Sequence, residues 1–416
     1  MIRVRVLAGL LLTACLDFGG TAILLPDRPA LAADEKQTAR QRIGQLVQEA
    51  EQLLKQKKYK EALEKLQAAD AAPNKTAYER YVIEATRAAV LLDTGDYASA
   101  INALEAVLAT GILPPQDALT RVQTLVQLSY QLRDYPRVVE YANRYYRDGG
   151  SDESVRLIQA QAYYLQNDFP DATKTMRVVL QTQQRQGKRP DENLFLILLN
   201  SEFRQKDEAG RIDALESLVA SYPKPEYWAE LLAAIQKKPG FSSRLTLDLD
   251  RLMAAVGALK TPDDYMQAAE LAMLAGLPGD AKSLLSRGYG AGMLGQGAGA
   301  ERQKRLADMA NQQANEDLKN LSQLEGEAAA AGNGQLSIKL GDAYASYGQF
   351  DKAIAAYQRG LQKGGLQNPD DARLHLGIAF LLSDQKPKAK DVLNTVAGTD
   401  GARDLAQLWL LEAGTR

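Results

Sequence analysis

The chain has 416 residues, a quarter of them charged, and a formal net charge of −2. That balance excludes an electrostatic footprint for nucleic acid, because neutralising phosphates needs clustered Lys and Arg, and no basic stripe occurs. One His and one Cys exclude a Cys/His zinc site, a Cys/His dyad and a disulfide within the chain.

In chain order, the first element is a targeting segment. Arg3 and Arg5 form a basic n-region, Val6 to Ala14 an apolar core, and Ala30-Leu31-Ala32 a small-x-small cleavage site. This predicts a signal peptide over residues 1–32 and an exported mature chain over 33–416. The alternative lies at Leu12-Thr13-Ala14-Cys15, which resembles the lipobox of bacterial lipoproteins and would make Cys15 a lipidation site. No later stretch approaches the roughly 18 apolar residues that span a bilayer. Membrane association is therefore expected only through a partner or that N-terminal lipid.

Ala, Leu, Gln and Lys recur through the rest, and aromatic residues are 6% with 18 Tyr, a composition of long helices. One pattern returns throughout: Tyr59-x-x-Ala62-x-x-x-Leu66, Tyr97-x-x-Ala100-x-x-x-Leu104, Phe169-x-x-Ala172-x-x-x-Met176 and Phe350-x-x-Ala353-x-x-x-Tyr357. Weaker copies begin at Tyr135, Glu208, Ser242, Pro278 and Lys386, and a nearly erased one lies near Ala314. Twelve residues before each small residue stands another: Ala50, Ala88, Ala160, Ala269, Gly341 and Gly377 precede Ala62, Ala100, Ala172, Ala281, Ala353 and Ala389. Antiparallel helices approach closely only where side chains are small, so each repeat is read as a helix pair with one small residue on each helix at the crossing. Thr94-Gly95-Asp96, Arg133-Asp134, Gln166-Asn167-Asp168 and Tyr347-Gly348-Gln349 supply the turn between them.

The residues Leu340-Gly341-x-x-Tyr344, Gly348, Phe350, Ala353 and Tyr357, and Leu376-Gly377-x-x-Phe380 with Ala389 and Leu393, resemble the tetratricopeptide repeat (TPR) signature. The resemblance extends over roughly residues 40 to 410. It implies an all-α fold: an α-solenoid, a right-handed superhelix of about ten TPR-like helix–turn–helix repeats ended by a capping helix with Trp409. The weakest repeats fall at about 284–324. The chain also resembles exported TPR proteins that accompany TonB-type energy-transduction systems of Gram-negative bacteria. Gly187-Lys188-Arg189-Pro190-Asp191-Glu192-Asn193, Tyr222-Pro223-Lys224-Pro225-Glu226-Tyr227-Trp228, Lys363-Gly364-Gly365-Leu366 and Ala406-Gln407-Leu408-Trp409-Leu410 carry this second resemblance. The Gly-rich Leu284 to Ala300 departs from it.

Candidate sites are few. Asp248 and Asp250 are two apart on a predicted helix and face different ways, while Asp263 and Asp264 follow Thr261-Pro262 as a helix N-terminus. The G-x-G-x-x-G at Gly290, Gly292 and Gly295 follows a predicted helix and no strand, so it is read as an inter-repeat loop and not a dinucleotide site. His375, inside Leu374-His375-Leu376-Gly377-Ile378, is read as packed between repeats. One His and scattered carboxylates suggest no convergent titratable cluster, hence no enzyme, no metal, no cofactor and no small-molecule substrate. Tyr59, Tyr97, Tyr135, Tyr163 and Tyr344 stand at core phase and are expected to pack.

On the first helix of three successive repeats, one phase gives Gln127, Gln161 and Asn200, and three residues on it gives Tyr130, Tyr164 and Phe203. TPR geometry turns this face inward, so amides there would pair with the backbone of an extended peptide while rings cover its side chains. No Lys/Asn/Lys/Arg set for gripping a terminal carboxylate shares one phase. The sequence thus predicts a non-catalytic periplasmic scaffold that binds a protein or peptide of an envelope complex, linked to TonB-dependent transport. The alternative is a TPR adaptor in envelope assembly or exopolysaccharide export.

Overall fold

The computed structural model describes residues 39–414, which hold twenty α-helices and no β-strand. The leader, its cleavage site and Cys15 lie outside the described residues. Two compact units divide the chain, one ending at Val179 and the other beginning at Leu180.

In the first unit the helices are α1 (Gln41–Lys55), α2 (Tyr59–Asp70), α3 (Ala77–Thr94), α4 (Tyr97–Ala109), α5 (Pro115–Gln131), α6 (Tyr135–Arg147) and α7 (Glu153–Leu165). Helix α8 (Phe169–Arg185) straddles the division. The second unit continues with α9 (Glu192–Gln205), α10 (Glu208–Ser221), α11 (Pro225–Gln236), α12 (Thr246–Ala255), α13 (Pro262–Leu274) and α14 (Pro278–Gly290). It ends with α15 (Ala300–Ala330), α16 (Gln335–Ser346), α17 (Phe350–Lys363), α18 (Pro369–Leu382), α19 (Lys386–Leu393) and α20 (Ala402–Gly414).

The periodic starts are helix starts. Tyr59, Tyr97, Tyr135, Phe169, Glu208, Pro278, Phe350 and Lys386 each open the second helix of a pair. One turn geometry makes them so. A residue in the left-handed region precedes the cap: Gly95, Arg133, Asn167, Lys206, Gly348 and Asp384 all have φ between 58° and 76°. The next N–H then reaches back to a carbonyl of the first helix, as Asp96 to Leu91 (3.0 Å), Asp134 to Ser129 (2.9 Å) and Asp207 to Glu202 (3.1 Å) do. That bond stops the first helix. The same Asp side chains accept from Ser99, Arg137 and Gly210 N–H and so start the second.

The small residues meet where the spacing places them. Ala50 and Ala62, Ala160 and Ala172, and Ala269 and Ala281 are buried at their crossings. At Gly341 the requirement is absolute: a Cβ there would lie 2.5 Å from ring atoms of Tyr357, whose hydroxyl donates to Asp342 at 2.8 Å. Gly341→Ala is expected to destabilise the second unit by about 1–3 kcal/mol, the usual range for overpacking. Gly326→Ala, on the exposed side of α15 with nothing within 4 Å of the new methyl, should instead stabilise it. The expected gain is about 0.5–1 kcal/mol. Chemical denaturation of both variants reads the two signs.

Two features depart from simple repetition. Where the spacing places a turn near Ala314, the chain continues as the single 31-residue helix α15, about 46 Å long. No Pro interrupts residues 300–330, and no residue there takes positive φ. Its buried side is a narrow stripe of Gln303, Ala310, Ala314, Leu321 and Ala328 laid between α14 and α16. The second departure is the C-terminal helix. Besides its neighbours α18 and α19, α20 packs on α10 and α12. Trp228, Leu231, Leu249 and Leu252 share one core with Leu374, Leu405 and Trp409. The second unit is thus closed on itself.

Candidate functional site

The closure brings together charges that are far apart in sequence. His375 on α18 lies between two carboxylates, with Nδ1 2.7 Å from Asp342 Oδ1 on α16 and Nε2 3.0 Å from Asp248 Oδ1 on α12. Arg251 Nη1 donates to that same Asp248 oxygen at 2.7 Å, and its Nε donates to Asp280 Oδ2 on α14 at 3.0 Å. The Tyr357 hydroxyl completes the group on Asp342. A convergent titratable cluster therefore exists, contrary to the expectation drawn from one His and scattered carboxylates. Its members are up to 127 residues apart, so no local spacing could have exposed it.

The electrostatics follow from the partners. Burial alone would lower the His375 pKa, but Asp248 and Asp342 outweigh it and hold the imidazolium well above its usual range. Burial would raise Asp248, but His375 and Arg251 hold it at about 2. Asp250, on the other side of α12, is pushed up to about 7 by burial and then by Asp264 and Asp248. Both ring nitrogens of His375 are committed, and the cations balance most of the buried negative charge. This is an ionic lock between repeats. Around it, Lys238 pairs with Asp404 at 2.8 Å, Arg244 forks onto Asp371 at 2.8 and 2.9 Å and also meets Asp400, and Ser242 N–H donates to the Asp400 carbonyl.

The amide and aromatic residues stand apart from this lock. Gln127 and Tyr130 on α5 are half-buried, as are Gln161 and Tyr164 on α7, and the two helices pack side by side in the first unit. Tyr130 meets Tyr135 edge-on with centroids 6.0 Å apart, and Tyr164 meets Phe169 in the same way at 6.0 Å. Each ring thus also braces the turn to its second helix. Asn200 and Phe203 belong to the second unit. Phe203 is 63% exposed, because Glu208 stands where the other repeats have Tyr135 and Phe169. Neither Gln127 nor Gln161 makes a side-chain hydrogen bond to a described residue. Extending their phase along each helix gives Val82, Ala85, Ala89 and Leu92 on α3, then Thr120 and Gln123 on α5, and Ser154 and Leu157 on α7. All of these are half-buried or exposed. The repeat spacing contains this longer stripe.

Residues 338–402, which run from α16 to the start of α20, match the family model of the tetratricopeptide repeat. The chain carries tetratricopeptide repeats there. A search of curated proteins finds no match. Among solved structures the chain is similar to the TPR2AB domain–pHSP90 complex of yeast Sti1, at 11% identity over 72% of this chain and 100% of that one, with a TM-score of 0.24. It is similar to yeast Tom70 at 10% identity over 89% and 95%, TM-score 0.25. It is also similar to Naa15/Naa10 bound to HypK-THB, at 14% identity over 88% and 58%, TM-score 0.31. At these scores the likenesses carry no argument, and the fold rests on the helix pairs.

The stretches singled out beyond the tetratricopeptide pattern join repeats to each other. Tyr222 donates to the Pro190 carbonyl at 2.9 Å beneath the Arg189 guanidinium, which lies 3.8 Å over its ring. Lys224 and the Tyr227 hydroxyl both bond Glu192, and they hold its carboxyl below the usual range. Lys363 Nζ donates to the carbonyls of Ala328, Ala329 and Ala331 and so caps α15. Asp263 and Asp264 do begin a helix, with Thr261 and Asp264 forming a capping box. The Gly-rich segment ends α14 and is pinned by buried Leu294 and by Gly295 N–H on Gln303 Oε1 at 2.7 Å. It follows a helix, as the spacing predicts, so the geometry that seats a pyrophosphate is missing.

Proposed function

We propose that this protein is a non-catalytic protein–protein interaction scaffold of the bacterial envelope, and that it binds a partner segment on the first-helix face of the first unit. The observation that carries the proposal is the side-by-side placement of Gln127 with Tyr130 and Gln161 with Tyr164 on α5 and α7. Amides without internal partners offer a donor and an acceptor to a peptide backbone, and the rings offer apolar area beside them. The tetratricopeptide match is in keeping with this use. A non-catalytic role is supported by the chemistry of the lock, where the single His is held by two carboxylates and an arginine closes the set. Periplasmic placement rests on the leader over residues 1–32. The link to TonB-dependent transport rests on the resemblance of the four stretches named above.

The test is quantitative capture from envelope extracts by the mature chain and by Gln161→Ala/Tyr164→Ala. The double variant should keep its helix content and lose at least tenfold of the specifically captured partner. Equal capture by both proteins rejects this face as the binding surface.

A further inference from the structure

We infer that the segment seated on α3, α5 and α7 is an uncharged, extended stretch of a partner protein, apolar where it crosses α3 and hydrogen-bonded through its backbone where it crosses α5 and α7. This rests on the scaffold reading above and adds the chemistry of the partner.

The observation is the stripe itself. In a chain one quarter charged, α3, α5 and α7 present no charge at four successive positions of one phase each. The same phase carries Glu51 on α1, and Glu230, Lys237, Asp263 and Glu270 later in the chain. Charge is therefore admitted by the repeat geometry, and besides the stripe the same phase of α9, with Asn193, Leu196, Asn200 and Phe203, also lacks it.

The polarity is graded along it. Ala85, Ala89 and Leu92 make the α3 part wholly apolar, and Leu92 joins the same core as Tyr130. On α5 and α7 the amides of Gln127 and Gln161 replace aliphatic groups. Asp152 borders the stripe at the start of α7, but its carboxylate is already taken by Gln123 Nε2 at 2.7 Å and by Ser154 N–H at 2.8 Å.

A charged side chain laid on such a face loses water and gains no counter-charge, which is costly. A neutral segment loses little, and its backbone is matched by the amides. The face therefore selects against charge more than it selects for any one side chain. Without charge pairs, binding should also be indifferent to salt.

The probe is a phage-displayed library of random dodecapeptides panned on the mature chain. Enriched sequences are then synthesised with a fluorophore and measured by anisotropy. Expected are peptides poor in Asp, Glu, Lys and Arg, with affinity constant within about twofold between about 0.1 and 1 M salt, where the screening length falls from about 10 to 3 Å. Gln127→Glu/Gln161→Glu, which keeps side-chain volume, should weaken them at least tenfold with an unchanged circular dichroism melt.

Peptides with a recurrent acidic or basic residue, weakened tenfold or more by salt yet still lost in Gln161→Ala/Tyr164→Ala, would overturn the inference and leave the scaffold reading standing. Enriched peptides indifferent to Gln161→Ala/Tyr164→Ala overturn both. A library that yields no enriched sequence also overturns the inference.

Discussion

Replacing His375 by Ala will lower the unfolding free energy of the second unit by about 3–5 kcal/mol, the usual cost of stripping one partner from a buried ion group. The ring is only 15% exposed, and its removal leaves Asp248 and Asp342 without the cation that bridges them. The readout is built in. The chain's two Trp residues, Trp228 and Trp409, both lie in the core shared by α10–α12 and α18–α20, so tryptophan fluorescence in a denaturant titration follows this unit.

The same group fixes the pH dependence. His375 has a raised pKa, so its stabilisation is complete below the ordinary imidazole value and is lost as pH climbs through the raised one. Asp248 has a lowered pKa, so its contribution is present above 3.8 and is lost as pH falls towards about 2. Asp250 acts in the opposite sense: raised to about 7, it costs stability as pH rises from about 4 to 7. Arg251, Asp280 and the Tyr357 hydroxyl face the same centre. Subtracting the pH profile of His375→Gln from that of the native chain removes what the two share. The difference should be flat below about 6.5, the ordinary imidazole value, and shrink as pH rises above it. A difference that grows with pH would mean His375 is neutral in the fold.

Trp409→Ala should cost about 3–5 kcal/mol by opening a cavity in the closing core, and its effect should be felt far along the chain. Trp409 is 3% exposed on α20, which packs on α10 and α12 as well as on α18 and α19. In a linear array each repeat depends only on its neighbours, and damage at the last helix frays the end. In a closed unit, α10–α12 should lose amide-exchange protection together with α18–α20, although Lys238 and Asp404 are 166 residues apart. Protection lost only in α18–α20 would show that the closure adds nothing to stability.

The division between the two kinds of information follows the range of the forces involved. Helix existence, the turn at each pair and the small residues at each crossing were legible because they depend on residues within a dozen positions: Asp96, Asp134 and Asp207 cap helices begun one residue later, and Ala160 finds Ala172. The six candidate binding residues were legible as a phase. Their surroundings were not, because whether a ring at that phase is covered depends on the first residue of the next helix, as Phe203 and Glu208 show. The long α15 left a signal in its own segment: neither Gly nor Pro stands between residues 300 and 325. A fixed period simply overrode it.

What the sequence settled alone was the all-helical repeat, since a period near three dozen residues records contacts between adjacent helices. Only the tertiary structure decided that the C-terminal helix returns to α10 and α12, and that the single His binds two acids from other repeats. Closure joins residues more than a hundred positions apart. Each partner there sits on a face that its own helix would present in any repeat, so the pairing leaves no mark on local spacing.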